Sequence, residues 1–254
     1  MYICVIMTKI QFLHRMKNMR VMTFNIQHCH AWNEGKINIP LFAKTIRRLR
    51  ADVCGLNEVR GKGPIGGYTD QIGKIKRRLW YRGVFGEAIK VGGTSPYGNG
   101  IVARKRILES EVIHISDDAA RSESSHFEHR AVLRAVIREN KKDITFLVCH
   151  MGLSVAERRC AVKTICDILD RTTTPVILMG DFNTTPDAEE LRPIYERMSD
   201  TDDLAKTPGV YTFPSYEPES KIDYIFYRGL RCTGVQTVTE VISDHFPIIA
   251  EFDV

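Results

Sequence analysis

No apolar run in this sequence approaches the ~20 residues that a membrane-spanning helix needs. The seven cysteines include no Cys-x-x-Cys pair, and their number is odd, so neither a disulfide framework nor a zinc ribbon is indicated. There is also no internal repeat, low-complexity tract or Pro/Ser-rich linker, and the chain reads as one domain. No heptad or exposed apolar stripe announces a partner, and a monomer is expected. The opening apolar run at 2–7 is too short for a secretory signal, and basic residues follow it rather than precede it. With the cysteines scattered, the reducing cytoplasm is the expected compartment. Neither charge sign dominates: 36 Lys and Arg stand against 31 Asp and Glu, a net +5. The positives do cluster, at Arg47-Arg48, at Lys76-Arg77-Arg78 and at Arg104-Lys105-Arg106. Each cluster is either a footprint for a polyanion or a solvated helix face.

What remains is ordinary globular material: 254 residues, 43% hydrophobic and 26% charged, enough to bury a sizeable core. Residues 1–18 are read as a leader, either disordered or a start-site artefact, and 19–254 as a single folded domain. Apolar runs and amphipathic stretches alternate along that domain. A strand is expected at 20–27 and a helix at 40–50, with Leu41, Phe42, Ile46 and Leu49 on one face. A short strand at 53–56 delivers Asn57-Glu58. A glycine-rich loop follows at 61–67, which lacks the Gly-Lys-[Ser/Thr] of a nucleotide P-loop and is read as a mobile rim. Short strands then come in quick succession, including 84–85, 130–138 and 144–149. A long helix is expected at 155–169, with Ser154 as N-cap and Glu157 as its capping-box partner. A strand at 176–179, a helix near 188–198 and three closing strands complete the pattern. Adjacent short strands imply antiparallel pairing, and the sum is an α/β sandwich of two packed mixed sheets with helices outside.

Three strings near the C-terminus set ionisable groups directly beside buried-strand patterns. They are Met179-Gly180-Asp181-Phe182-Asn183, Ser220-Lys221-Ile222-Asp223-Tyr224 and Ser243-Asp244-His245-Phe246-Pro247. Carboxylates are rarely left deep in a fold without a cation or a hydrogen-bonded partner. Phosphodiester hydrolysis asks for hard carboxylate ligands to a divalent cation, an acceptor that aligns water, and a donor facing the phosphoryl oxygens. Asn25, Glu58, His150, Asp181, Asn183, Asp223, Asp244 and His245 each end an apolar run and supply candidates for all three roles. Taken singly, Asp and Asn after a strand are common turn residues, and a lone histidine is more often a satisfied core group.

Read in order, Thr23-Phe24-Asn25-Ile26, Leu56-Asn57-Glu58-Val59, Gly98-Asn99-Gly100, His150-Met151-Gly152-Leu153, Gly180-Asp181-Phe182-Asn183, Lys221-Ile222-Asp223-Tyr224-Ile225 and Ser243-Asp244-His245 resemble the endonuclease/exonuclease/phosphatase superfamily. The likeness spans 19–254 and is nearest to its small bacterial members. It implies the four-layer α/β sandwich of DNase I-like proteins, with two mainly antiparallel mixed sheets. It also implies a Mg²⁺-dependent (or Mn²⁺-dependent) hydrolase in which water attacks the phosphate in line. In that scheme Glu58, Asn25 and Asp244 serve the metal, and Asp181 deprotonates the water. Asn183 holds water and phosphate, while His245, fixed by Asp223, faces one phosphoryl oxygen and His150 another. Arg130 and Asn99 fall to the substrate, with a plain strand-edge arginine as the other reading of Arg130. Asn57 stands where the family usually has Gln.

A nuclease or nucleotide phosphodiesterase is the reading that follows. The alternatives are a phosphatase for phospholipid head groups or inositol phosphates and, from another class, a catalytically silent binding domain. His28 and His30 are either a ligand pair or a contact on the rim. Tyr97, Trp32 and Tyr216 are either stacking groups at the mouth or half-buried packing.

Overall fold

Fourteen strands, four α-helices and several 3₁₀ turns make up the computed structural model, which describes residues 18–117, 121–122 and 127–254. The leader expected over 1–18 lies, apart from Asn18, outside the described residues. The first half of the chain gives β1 (Met19–Asn25), β2 (His30–Ala31), β3 (Lys36–Ile37), α1 (Ile39–Arg48), β4 (Val53–Arg60), α2 (Gln71–Leu79), β5 (Arg82–Val91), β6 (Ser95–Ala103) and β7 (Ile107–His114). The second half gives β8 (Ala131–Glu139), β9 (Lys142–His150), α3 (Val155–Arg171), β10 (Val176–Asp181), α4 (Arg192–Tyr195), β11 (Ser199–Asp200), β12 (Asp223–Arg228), β13 (Arg231–Thr237) and β14 (Ile248–Asp253).

Two six-stranded sheets result, in the orders β13-β14-β1-β4-β6-β5 and β11-β12-β10-β9-β8-β7, and β2 pairs β3 as a small ribbon. Each large sheet is mixed. One parallel pair, β1 with β4 or β9 with β10, sits between antiparallel neighbours. Alternation along the strands sends Val21, Val53, Phe146, Ile177 and Ile225 into the space between the sheets. Met22, Phe24 and Leu56 turn the other way and pack on Phe42 and Ile46 of α1 and Ile72 and Ile75 of α2. Leu147, Leu178 and Phe226 likewise meet Ile165 and Leu169 of α3. The central strands of both sheets are therefore covered on both faces, which is why they read as continuous apolar runs. Among the described residues no helix is long and apolar enough to cross a membrane.

The sheets approach so closely at Gly55 that a Cβ there would lie 2.8 Å from Val148 Cγ2. Helix α3 starts on a complete capping box: the Glu157 amide donates to Ser154 Oγ, and the Ser154 amide donates to Glu157 Oε2. A cap of this kind contributes about 1 kcal/mol. The helix expected near 188–198 is instead a 3₁₀ turn (Glu189–Leu191) followed by the single turn of α4. Pro193 explains the division, because a residue without an amide hydrogen is tolerated only in the first turn of an α-helix. The strand expected at 84–85 grows to ten residues because β5 pairs along almost all of β6.

Candidate active site

Strand register alone brings most of the candidate groups to one end of the sandwich. In the first sheet Asn25, at the end of β1, lies opposite Asn57 of β4. In the second, Asp181, at the end of β10, lies opposite His150 of β9 on one side and Asp223 of β12 on the other. The carboxyl ends of parallel strands are where open α/β sheets place their ligands. The short connection into β14 adds Asp244 and His245 at the same end.

Glu58 reaches the site through a bulge in β4. Leu56 lies opposite Gly100 and Val59 opposite Gly98, so the strand carries one residue more than its partner. Glu58 itself takes a left-handed φ of 59°, a conformation that costs an ordinary residue on the order of 1–2 kcal/mol. Two hydrogen bonds hold its carboxylate: Tyr97 Oη donates to Oε2 at 2.8 Å and Asn25 Nδ2 to Oε1 at 3.0 Å. Asn25 also donates to Asp181 Oδ2 at 3.1 Å, and its Oδ1 accepts from the Gln27 amide. It therefore bridges the two carboxylates.

Asp181 is buried between two imidazoles, with His150 Nε2 at 3.5 Å and His245 Nε2 at 3.6 Å from Oδ2. The Asn183 amide donates to Oδ1 at 2.9 Å from a left-handed backbone. Burial raises the Asp181 carboxyl above the usual range; the His245 charge opposes that shift and the Asp223 charge adds to it. Asp223 Oδ2 lies 2.9 Å from His245 Nδ1. Burial works against a charged His245, but Asp223 and then Asp181 outweigh it and push the imidazole up to about 10. His150 goes the other way. Burial, then Arg130 and His245, hold it well below the usual histidine range, so it is neutral.

Asp244 accepts from Gln27 Nε2 at 2.7 Å and from Ser243 Oγ at 3.0 Å. Burial raises its carboxyl; His245 opposes the rise, and the Glu58 charge adds to it. Glu58, Asp244, Asp181, Asn183, Arg130, His150 and His245 all line one cavity of about 260 Å³. Arg130 pairs with Glu128 at 3.2 Å, and among the described residues its buried Nε has no partner.

Two clusters here could hold a cation. Ligand atoms of Asp181, Asp223 and His245 lie within 4.8 Å of one another, but His245 Nδ1 is already engaged by Asp223 Oδ2 at 2.9 Å. Glu58 and Asp244 are the better fit. They are two oxygen donors in one cavity, close enough for one charge to raise the other's proton affinity, and a hard divalent cation relieves such a clash.

Some candidates land elsewhere. Asn99, expected at the substrate, is 2% exposed and does not line the cavity. Its Nδ2 donates to Ala131 O and its Oδ1 accepts from Asn57 Nδ2, so it positions backbone instead. The rings of His28 and His30 lie 6.3 Å apart, and burial, then the Arg60 charge, lowers His28 to about 4. Among the described residues they belong to no metal-ligating cluster.

Other residues do more than the sequence suggests. Asn57 accepts from the Asp181 amide at 3.0 Å and donates to Cys149 O at 3.0 Å, tying one sheet to the other. Gln27 holds Asp244, and its own Oε1 faces His30 Nδ1 at 3.0 Å. Gln27, His28 and Cys29 are all left-handed, and nothing in a Gln-His-Cys string signals that.

Comparison with known proteins adds three findings. The model of the endonuclease/exonuclease/phosphatase family matches residues 22–245. Solved structures match along almost the whole chain. An endonuclease/exonuclease/phosphatase from Beutenbergia cavernae is 22% identical at a TM-score of 0.76, over 93% of this chain and 72% of that one. A family protein from Leptotrichia buccalis is also 22% identical, at 0.74, over 93% and 100%. A mannosyl-6-phosphatase from Bacteroides thetaiotaomicron is 18% identical at 0.70, over 92% and 99%. At these identities the structures show a shared fold. No curated protein matches the sequence.

Proposed function

The chain belongs to the endonuclease/exonuclease/phosphatase family of phosphoester hydrolases, and from that premise we propose that it is a divalent-metal-dependent phosphodiesterase acting on a nucleic-acid or nucleotide substrate. The observation that carries the reading is the placement of Asp181. Its carboxylate is fixed by Asn25 and the Asn183 amide and lies within 3.6 Å of two imidazoles of opposite character, one neutral and one charged.

Glu58 and Asp244, with Asn25 beside them, would hold Mg²⁺ or Mn²⁺, which supplies positive charge against the phosphoryl oxygens and the leaving group. Asp181 is the base: buried and raised in proton affinity, it takes a proton from water better than a solvated carboxylate would. Asn183 spends its Nδ2 on Met151 O, which leaves Oδ1 as an acceptor to orient that water. The His245 imidazolium, backed by Asp223, donates to a phosphoryl oxygen as charge builds there. Neutral His150 donates to a second, and Arg130 brings a further cation to the cavity wall. We place the reaction in the cytoplasm, consistent with buried free thiols at Cys29, Cys54, Cys149, Cys166 and Cys232.

The test uses bis(4-nitrophenyl) phosphate with Mg²⁺ and, in parallel, with EDTA. Asp181→Ala and His245→Ala should each lose roughly 10²–10⁴-fold in rate with an unchanged circular dichroism spectrum, and EDTA should stop the wild type. Turnover retained in both variants would reject the mechanism. A panel of plasmid DNA, RNA, cyclic dinucleotides, sphingomyelin and inositol phosphates then assigns the substrate.

A further inference from the structure

Beside the metal carboxylates the chain carries an aromatic pair that neither core packing nor the catalytic scheme uses. The rings of Trp32 and Tyr216 stack face to face, with centroids 4.5 Å apart and planes within 6°. The other parallel stack, Tyr224 on Phe226, is wholly buried. Tyr216, by contrast, is 53% exposed and Trp32 is half-buried. Among the described residues neither Trp32 Nε1 nor Tyr216 Oη has a hydrogen-bond partner.

The backbone that carries both rings is tied to the segment that carries Asp244. The Trp32 amide donates to Ile242 O at 2.9 Å, and Asn33 Nδ2 donates to Val241 O at 3.1 Å. From the other side, the Ser215 amide donates to Asp244 O at 2.6 Å, and Ser215 Oγ donates to Ser243 O at 2.5 Å. A further chain of contacts leads from the Asp244 carboxylate to Gln27, then His30, whose ring meets Trp32 edge-on at 6.4 Å. The pair is therefore held at a fixed offset from Asp244, which lowers the ordering cost of binding a ligand there. A rigid, half-open aromatic face with free polar edges suits a planar heterocycle, whereas a head group or inositol ring offers no π-face.

We propose that Trp32 and Tyr216 form a stacking shelf for a nucleobase attached to the phosphate that His245 and His150 hold. The proposal rests on the phosphodiesterase reading above and narrows its substrate to nucleotides.

The chain has only two tryptophans, and the other, Trp80, is 91% exposed beside the start of β5, at the far end of the sheet. Trp80→Phe therefore makes Trp32 the sole indole reporter. AMP should quench its fluorescence, and ribose 5-phosphate, which keeps the phosphate and sugar but has no base, should not. Tyr216→Ala should weaken AMP binding by about tenfold and raise KM for a dinucleotide to the same extent, with kcat the smaller effect. Tyr216→Phe should restore binding. Equal responses to AMP and ribose 5-phosphate, or an unchanged KM in Tyr216→Ala, would overturn the shelf. Neither result touches the phosphodiesterase reading, which stands or falls on Asp181→Ala.

Discussion

Replacing Asp223 by Asn leaves the side chain's shape intact and removes the charge behind His245. The change from 6.5 to about 10 at that imidazole corresponds to roughly 5 kcal/mol of preference for the protonated form. Burial opposes that preference, and Asp223 leads the carboxylates that create it, ahead of Asp181 and Asp244. In Asp223→Asn the His245 proton affinity should therefore fall back toward the ordinary histidine range. At about pH 6 the ring is protonated in either protein, and the rates should lie close together. At about pH 9 only the wild type keeps its imidazolium, and the variant should be slower by roughly 10²–10³-fold, the usual cost of losing one transition-state donor. Stability should follow the same sign. A group whose proton affinity is higher in the folded state stabilises fully below its unfolded value of 6.5, and that contribution drains away as pH rises through about 10. Denaturant unfolding should show Asp223→Asn to be about 3 kcal/mol less stable near neutrality, at the low end for a broken buried pair because Asp181 remains. The difference should shrink toward pH 10. The measurements are kcat/KM for bis(4-nitrophenyl) phosphate across pH and urea melts at the two extremes. An alkaline limb identical in variant and wild type would refute the reasoning, since His245 would then not depend on Asp223 for its charge.

Two further changes separate the proposed metal site from the scaffold. Gln27→Ala removes the donor that orients Asp244 and should raise the Kd for Mn²⁺ by roughly tenfold in calorimetry; an unchanged Kd would mean that Asp244 is oriented without it. Gly180→Ala would drive a Cβ to within 1.8 Å of Cys149 O at a φ of 145°, breaking the β9–β10 register that sets Asp181 opposite His150. We expect a loss above about 4 kcal/mol by thermal melting, against a near-neutral Gly66→Ala, where the added Cβ meets nothing within 4 Å.

How much of this was legible in the sequence depends on where each residue finds its partner. Asp181 and His150 close apolar runs and Asp223 opens one, and because strands pair in register, three such ends in one sheet become neighbours. That is a local pattern with a global consequence, and the order of the residues is enough to reveal it. The sheet architecture was legible for the same reason, since a run buried on both faces has to lie between two layers. Helix ends were less so: the capping box at Ser154 and Glu157 shows in the string, but the break at Pro193 depends on which turn the proline occupies.

Asn57, Asn99 and Gln27 act across the sandwich or between loops, on partners 32 to 217 residues away in sequence. Nothing in their own neighbourhoods announces that. Asn99 shows the risk of reading function from a motif's position, because it shares a motif with strand residues and ends up feeding its amide to Ala131 O. Asn57 shows the reverse. Beside Glu58 it looks like a shortened substitute for glutamine, yet its three bonds reach Asn99, Cys149 and the Asp181 amide. Its side chain spans the gap between the sheets at the point where they come close enough to require Gly55. A glutamine there would have to accommodate an extra methylene in that gap, so the shorter amide and the tight sheet spacing have to be read together. Asp181, the base in the proposed mechanism, is thus held in place by an amide from the opposite sheet.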